Sequence, residues 1–313
     1  MVVTLNLNDL NQIESGASKK KIYRFKNENT KNILVDFSYS FSDYLSFINV
    51  HQYLSNINIS IPKIFDTNDT EKLILMEDFG NDRYDKIITN YDVRQLLVNA
   101  IDSLIAIQHY DKPLIADGFK EYNYLNFKEE IIEFVDFYLP LLKTSSDQME
   151  EFLQIWTSEF NKLNFHWNSF VHKDFELSNL MYLPNKENHL KCGILDFQNA
   201  FIGFSGWDLF SLLENPRIDF EDKYNQELIE YFYYKSDQKI SYKDFFIQYF
   251  FLNTARQTRI IGRWVSLDKK NNDNFYQSNF HSVTIKRLKN SLYNLQNKQL
   301  SHLYKKILKN EKF

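Results

Sequence analysis

The 313-residue chain holds a single cysteine, Cys192, so no intrachain disulfide can form. No cluster of cysteine and histidine has the spacing of a zinc site, and a reducing compartment fits. Glycine is also scarce, with seven in all. Long basic stripes are missing. "KKK" at 19–21 and "KK" at 269–270 are short, and the net charge is −4, which argues against nucleic acid as the main partner. No apolar run is long enough to cross a bilayer. The densest, "FFIQYFFLN" at 245–253, is short and interrupted by Gln248. The N-terminal "MVVTLNLNDLNQ" has no basic start followed by an apolar run, so no secretory leader is expected. These absences imply a cytoplasmic protein with no membrane partner. They leave the oligomeric state open.

Hydrophobic residues make up 43% and charged residues 25%, the balance of a soluble globular protein. The length suffices for one large domain or two lobes with real cores. Aromatics reach 17%, and 28 Phe with 20 Tyr read as core filling. Three of the seven glycines, Gly193, Gly203 and Gly206, fall within fourteen residues. Glycine concentrates where backbone turns sharply or approaches something closely, so an unusual local structure is expected there.

The first 80 or so residues read as β-β-α-β-β. "KIYRF" (21–25) and "NILVDF" (32–37) flank the turn "KNENTK", a hairpin signal. "SDYLSFINVHQYLS" (42–55) has helical spacing, with Ser42 or Asp43 as cap. "PKIFD" and "KLILME" flank "TNDT" as a second hairpin. From about residue 91 helices take over: 93–110, 127–142 and 148–164. Two short β runs follow, "NLMYLP" and "KCGILDF", joined by "NKEN". After Gly206 the chain reads as helical to the end. Residues 285–308 keep Ile285, Leu288, Leu292, Leu295, Leu300, Leu303 and Ile307 on one face. The pattern implies an α+β fold: a β-rich N-terminal lobe over residues 1–80 and an α-helical C-terminal lobe over 81–313.

The polar residues between apolar runs in "FVHKDFELSNLMYL" (170–183) carry the chemistry. Asp174 can accept a proton from a hydroxyl, and the Asn179 carbonyl oxygen can ligate a hard cation such as Mg²⁺. Asp196 ends the strand of "GILDFQNA" and can complete the metal site. Asp, Asn and a strand-end Asp form the toolkit of metal-assisted phosphoryl transfer.

"VHKDFELSN" resembles the H-x-D-x-x-x-x-N catalytic loop of protein-kinase-like phosphotransferases, and "LDFQ" stands where they carry D-F-G. "DFQNAFIGFSGWDLFSLLENPR" is similar to the "DFQDA..G...DL.SLL" stretch of the aminoglycoside/choline-kinase-like family. "ASKKKIYRF" and "ARQTRIIGRWVSL" (255–267) are similar to segments of its N-acetylmuramate/N-acetylglucosamine anomeric kinase branch. The resemblance runs from about residue 12 to the C-terminal helices and implies a bilobal protein-kinase-like fold.

It further implies ATP and Mg²⁺ as cofactors and a small-molecule acceptor. Asp174 is then the base, and His172 braces the catalytic loop. Asn179 and Asp196 hold the metal against the triphosphate. "LMEDF" (75–79) is the hinge, with adenine against backbone near Glu77 and Phe79, and "SGASKK" (15–20), with Gly16 and Ser18, covers the phosphates. Asp208 is a structural support for the catalytic loop. Arg256 and Arg259, three apart on one helix, are candidates for an anionic substrate group such as the lactyl carboxylate of N-acetylmuramate; surface or bracing roles are the alternative.

The chain departs from the wider pattern in its third strand. "NILVDF" has no phosphate-holding lysine and shows Asp36 instead, as the branch's "ILMDA" also does. Arg24 is the first candidate replacement, with Lys20 and Lys21 behind it. "SGAS" shifts the loop glycine by one against the branch's "GDAS". No activation segment ending in A-P-E is present, which argues against a protein substrate. The expected function is an ATP- and Mg²⁺-dependent kinase of a sugar hydroxyl, favouring the anomeric hydroxyl of N-acetylmuramate or N-acetylglucosamine. A kinase of another alcohol, choline-like or aminoglycoside-like, and a catalytically weak nucleotide-binding regulator are the alternatives.

Overall fold

The computed structural model describes residues 10–13, 20–27, 30–110, 118–219 and 224–309. Gly16 and Ser18 lie outside the described residues, so the expected phosphate loop is represented only by Lys20. The architecture is α+β, with a small antiparallel sheet near the N-terminus and a larger helical region after it. The chain forms two compact units, Met1–Gly118 with His172–Ala200, and Phe119–Val171 with Phe201–Phe313. None of its described helices is long and apolar enough to cross a membrane.

The first unit is built on a five-stranded antiparallel sheet in the order β1-β2-β3-β5-β4. Its strands are β1 (Asn11–Ile13), β2 (Lys21–Asn27), β3 (Thr30–Asp36), β4 (Ile64–Asn68) and β5 (Leu73–Glu77). The two expected hairpins are present, with β1 added at the edge. Helix α1 (Phe41–Leu54) connects them, and its N-cap is Ser40, whose hydroxyl accepts from the Asp43 N–H. The cap thus sits two or three residues ahead of the expected Ser42 or Asp43. Ser40 is extended and can turn its oxygen onto the first helical turn, whereas residues 42 and 43 are already helical.

Short helix α2 (Tyr84–Ile87) and helix α3 (Val93–Gln108) follow the sheet, with Asp92 capping α3. The catalytic segment joins this unit through the hairpin of β7 (Leu180–Tyr182) and β8 (Cys192–Ile194). Three contacts pin the hairpin down. The Ile194 N–H donates to Ser60 O at 2.8 Å, and the Tyr182 N–H to Asp82 O at 2.7 Å. Gly193 lies against the Phe79 ring.

In the second unit, β6 (Ser169–Val171) and β9 (Phe201–Gly203) pair antiparallel and bracket the catalytic segment in the chain. Helices α4 (Tyr124–Phe137) and α5 (Ser146–Asn161) carry capping boxes at Asn123 and Ser145. Helices α6 (Trp207–Leu213), α7 (Asn225–Lys235), α8 (Tyr242–Asn271), α9 (Phe275–Leu295) and α10 (Lys298–Ile307) complete it. Their aromatics build its core, with Phe127, Phe134, Phe152, Trp156, Phe251 and Tyr304 buried against one another. The apolar face read through 285–308 belongs to two helices. Gln296 adopts a left-handed conformation at φ 52° and Asn297 caps α10, so the chain breaks there despite unbroken periodicity.

Candidate active site

The four residues expected to do the chemistry lie in the first unit, and a relay of hydrogen bonds joins three of them, His172, Asp174 and Asn179, through Leu195, the residue ahead of Asp196. The Asn179 side-chain N–H donates to Asp174 O at 2.8 Å. The Leu195 N–H donates to Asn179 O at 2.9 Å. His172 Nε2 lies 3.0 Å from Leu195 O. A carbonyl oxygen only accepts, so Nε2 carries the proton and donates. His172 is fully buried, and burial pushes its pKa below the usual imidazole range despite the nearby Asp174 and Asp196 carboxylates. The ring is therefore neutral and donates to the carbonyl of the residue ahead of Asp196.

The register of the β7–β8 hairpin explains why Asn179 meets Leu195, the residue ahead of Asp196. Leu180 pairs with Ile194, so Asn179 and Leu195 sit one step beyond the paired ends. Asp196 follows at φ 65°, a left-handed conformation that costs a non-glycine residue of order 1 kcal/mol or more. Lys173, between His172 and Asp174, is also left-handed at φ 78°. Both strained residues adjoin the chemistry. Phe197 anchors the turn, stacking on Phe47 of α1 at a ring separation of 4.6 Å. Ser46 of α1 donates to Gln198 O at 2.5 Å.

Asp196 is partly buried, and its Oδ1 accepts from Lys20 Nζ and, at 2.8 Å, from Gln198 Nε2. Burial raises the pKa of this carboxyl, but the Lys20 charge and hydrogen bond, with Gln198, outweigh it and hold it below the usual range. Asp174 is half-buried, and Asn199 Nδ2 donates to its Oδ2 at 2.9 Å. Sequence reasoning passed over Lys20's contact and the roles of Asn199 and Gln198. The only available signal was that 198 and 199 fall in the "DFQNA" stretch.

The Arg24 guanidinium meets Asp78 at 2.8 Å, inside the expected hinge at 75–79, and Gly80 O at 2.6 Å and Asn81 Oδ1 at 2.5 Å just beyond it. Glu77 also braces its strands, its Oε2 accepting from the Lys63 N–H at 3.2 Å. Gly80 takes φ 92° to make the turn. In the second unit Asp208 is buried in the first turn of α6. Arg256 is buried at 2% exposure, whereas Arg259 is partly exposed between Glu130 and Glu133, at 3.9 and 4.0 Å.

Residues 9–237 match the sequence profile of the phosphotransferase enzyme family. The chain belongs to that family. Two curated relatives are N-acetylmuramate/N-acetylglucosamine kinases. That of Caulobacter vibrioides is 29% identical over 181 residues, covering 55% of this chain and 50% of the relative. That of Pseudomonas aeruginosa is 23% identical over 212 residues, covering 66% and 60%. The matched stretches thus span between half and three-fifths of the relatives' length. Among solved structures, APH(2″)-IIia in complex with GDP and kanamycin superposes with a TM-score of 0.63 at 14% identity, covering 93% of this chain and 95% of that one. At that identity the likeness concerns the fold.

The donor set suits a hard cation. Asn179 spends its N–H on Asp174 O, which turns Oδ1 into the atom available to ligate, and Asp196 supplies a carboxylate. Among the described residues no group of three or more His, Cys, Asp or Glu side chains could hold a metal by itself. One carboxylate and one amide oxygen is the sparse protein set typical of Mg²⁺ held largely by phosphate oxygens and water.

Proposed function

We propose that the protein is an ATP- and Mg²⁺-dependent kinase of a sugar hydroxyl, favouring the anomeric hydroxyl of N-acetylmuramate or N-acetylglucosamine. The observation that carries this reading is the relay joining Asp174, Asn179, Leu195 and His172, which ties the proposed base to one proposed metal ligand, Asn179, and to the residue just ahead of the other, Asp196. The names of the two curated relatives support the acceptor class.

When bound, Mg²⁺ neutralises charge on the transferring phosphoryl group. The chain's own residues do the rest. Asp174 Oδ2 is held by Asn199, so the carboxylate is oriented before a hydroxyl arrives; it aligns that hydroxyl and accepts its proton. Asn179 and Asp196 would hold the cation. The hinge from Glu77 to Gly80 would take the base, and among the described residues the Phe79 backbone N–H and C=O make no hydrogen bond. Little covalent chemistry is asked of the protein, so positioning and electrostatics supply the rate.

Arg259, the more exposed of the two arginines, is proposed to meet the lactyl carboxylate of N-acetylmuramate. The acidic pair Glu130 and Glu133 beside it favours a second reading, a cationic acceptor of the aminoglycoside kind. An Mg·ATP consumption assay over amino sugars, choline, aminoglycosides and hexoses separates them. Transfer to N-acetylmuramate or N-acetylglucosamine, lost in Asp174→Asn, is the expected result. In that case Arg259→Gln should raise KM for N-acetylmuramate and spare N-acetylglucosamine. Transfer to aminoglycosides alone would replace the acceptor, and nucleotide binding without any transfer would favour a regulator.

A further inference from the structure

Strand β3 offers no lysine to the phosphates, and the register shows which residue stands nearest to that task. Residues directly opposite one another in a sheet share a face. Ile33 opposes Met76, and Val35 opposes Ile74, so these four share the face that leads through Met76 into the hinge. On β2, Arg24 opposes Ile33 and Ile22 opposes Val35, so both belong to that face. Asp36 lies on the other face, paired with Lys21 and Leu73, and its carboxylate accepts from the Ser38 N–H at 2.8 Å. Neither Asp36 nor Lys21 therefore points where a phosphate-holding group is needed.

Alternation continues this face to Lys20, one residue ahead of β2. The face thus carries a cation at each end. Arg24, at the hinge end, is committed to Asp78, Gly80 and Asn81. Lys20, at the other end, is buried at 7% exposure, and its ammonium contacts Asp196 Oδ1, on a carboxylate proposed to ligate the metal. Burying an ammonium is costly unless it is paired, and a lysine is seldom held this way on a surface sheet.

Resting on the kinase reading of this site, we propose that Lys20 is the phosphate-holding cation of this enzyme, supplied by the start of β2 in place of a third-strand lysine. An ammonium carries three donors and can serve a carboxylate and phosphate oxygens together. As a compact charge on a flexible stem, it can follow the triphosphate while staying beside Asp196. Arg24 then has a separate task, fixing the hinge that receives the base.

The test measures binding, not turnover. Calorimetric titration of ATP and adenosine, with Mg²⁺ and without acceptor, is compared for the native protein, Lys20→Met and Arg24→Gln. Lys20→Met should weaken ATP by about 10-fold to 100-fold and leave adenosine within about twofold, since adenosine lacks the phosphates that Lys20 would hold. Arg24→Gln should weaken ATP and adenosine alike. Should methionine not be tolerated beside Asp196, Lys20→Gln keeps a polar contact, removes the charge and carries the same expectation. Unchanged ATP affinity in a folded Lys20 variant overturns the assignment. Equal loss of ATP and adenosine also overturns it, and leaves Lys20 as a structural partner of Asp196. A native protein that binds neither ATP nor adenosine overturns the ATP reading itself. No arm depends on the acceptor, so a wrong sugar leaves the result standing.

Discussion

At the scale of the residue, the site is governed by which atom each side chain has already used. Asn179 spends its N–H on the Asp174 carbonyl, and Asp174 Oδ2 is engaged by Asn199. Asp174→Asn keeps this geometry and removes the proton acceptor. Turnover should fall by on the order of 10²–10⁴, with ATP affinity within about threefold, read from steady-state kinetics beside a binding titration. Gly193 gives a second prediction. A Cβ there would lie 2.7 Å from the Phe79 ring, so Gly193→Ala must displace the hinge phenylalanine. Nucleotide affinity should weaken while the thermal midpoint moves little, because the ring is only partly buried. The glycine cluster was legible in the sequence as a mark of close approach. The two strained backbones were not. They belong to Lys173, whose type gives no hint of a left-handed conformation, and to Asp196, whose type adopts it more readily but still in a small minority of cases.

At the scale of the element, the long helix α8 shows how one missing side chain sets a packing distance. A Cβ on Gly262 would fall 2.3 Å from the carbonyl oxygen of Glu133 in α4, and backbone cannot yield as a side-chain tip does. Gly262→Ala should therefore separate α8 from α4 and cost about 1–3 kcal/mol, despite alanine's better helix propensity. A lowered urea midpoint with an unchanged slope would show it; equal or greater stability would mean that the helices part without penalty. The four strands and one helix read in the N-terminal region were legible to within one or two residues, because alternation and capping are local, whereas the short edge strand β1 was not. The break at Gln296 was not. Apolar spacing runs through it, and only the turn to a left-handed backbone ends α9.

At the scale of the whole molecule, buried neutral acids tie stability to pH. Burial pushes the Cys192 thiol up to about 12, and raises the Tyr84, Tyr122, Tyr249 and Tyr304 hydroxyls above the usual phenol range. An unfolded chain releases these protons from about pH 9 for the thiol and about pH 10 for the phenols, while the folded chain keeps them. Their contribution is thus complete below those values and is lost as pH climbs toward the folded pKa, at about 1.4 kcal/mol per pH unit for each group. Urea midpoints should hold level from about pH 7 to 9 and fall steeply above about pH 10, with Tyr84→Phe flattening the fall. A level profile to pH 11 would contradict the burial of these hydroxyls. The sequence by itself determined the α+β order and singled out the proposed catalytic loop, base and metal ligands, because periodicity, capping and a contiguous motif are written along the chain. Only the tertiary structure decided that Lys20, not Arg24, reaches Asp196, and that Asn199 holds Asp174. Those contacts depend on strand register and on a hairpin folding back, and residues 20 and 196 become neighbours through distances no local pattern records.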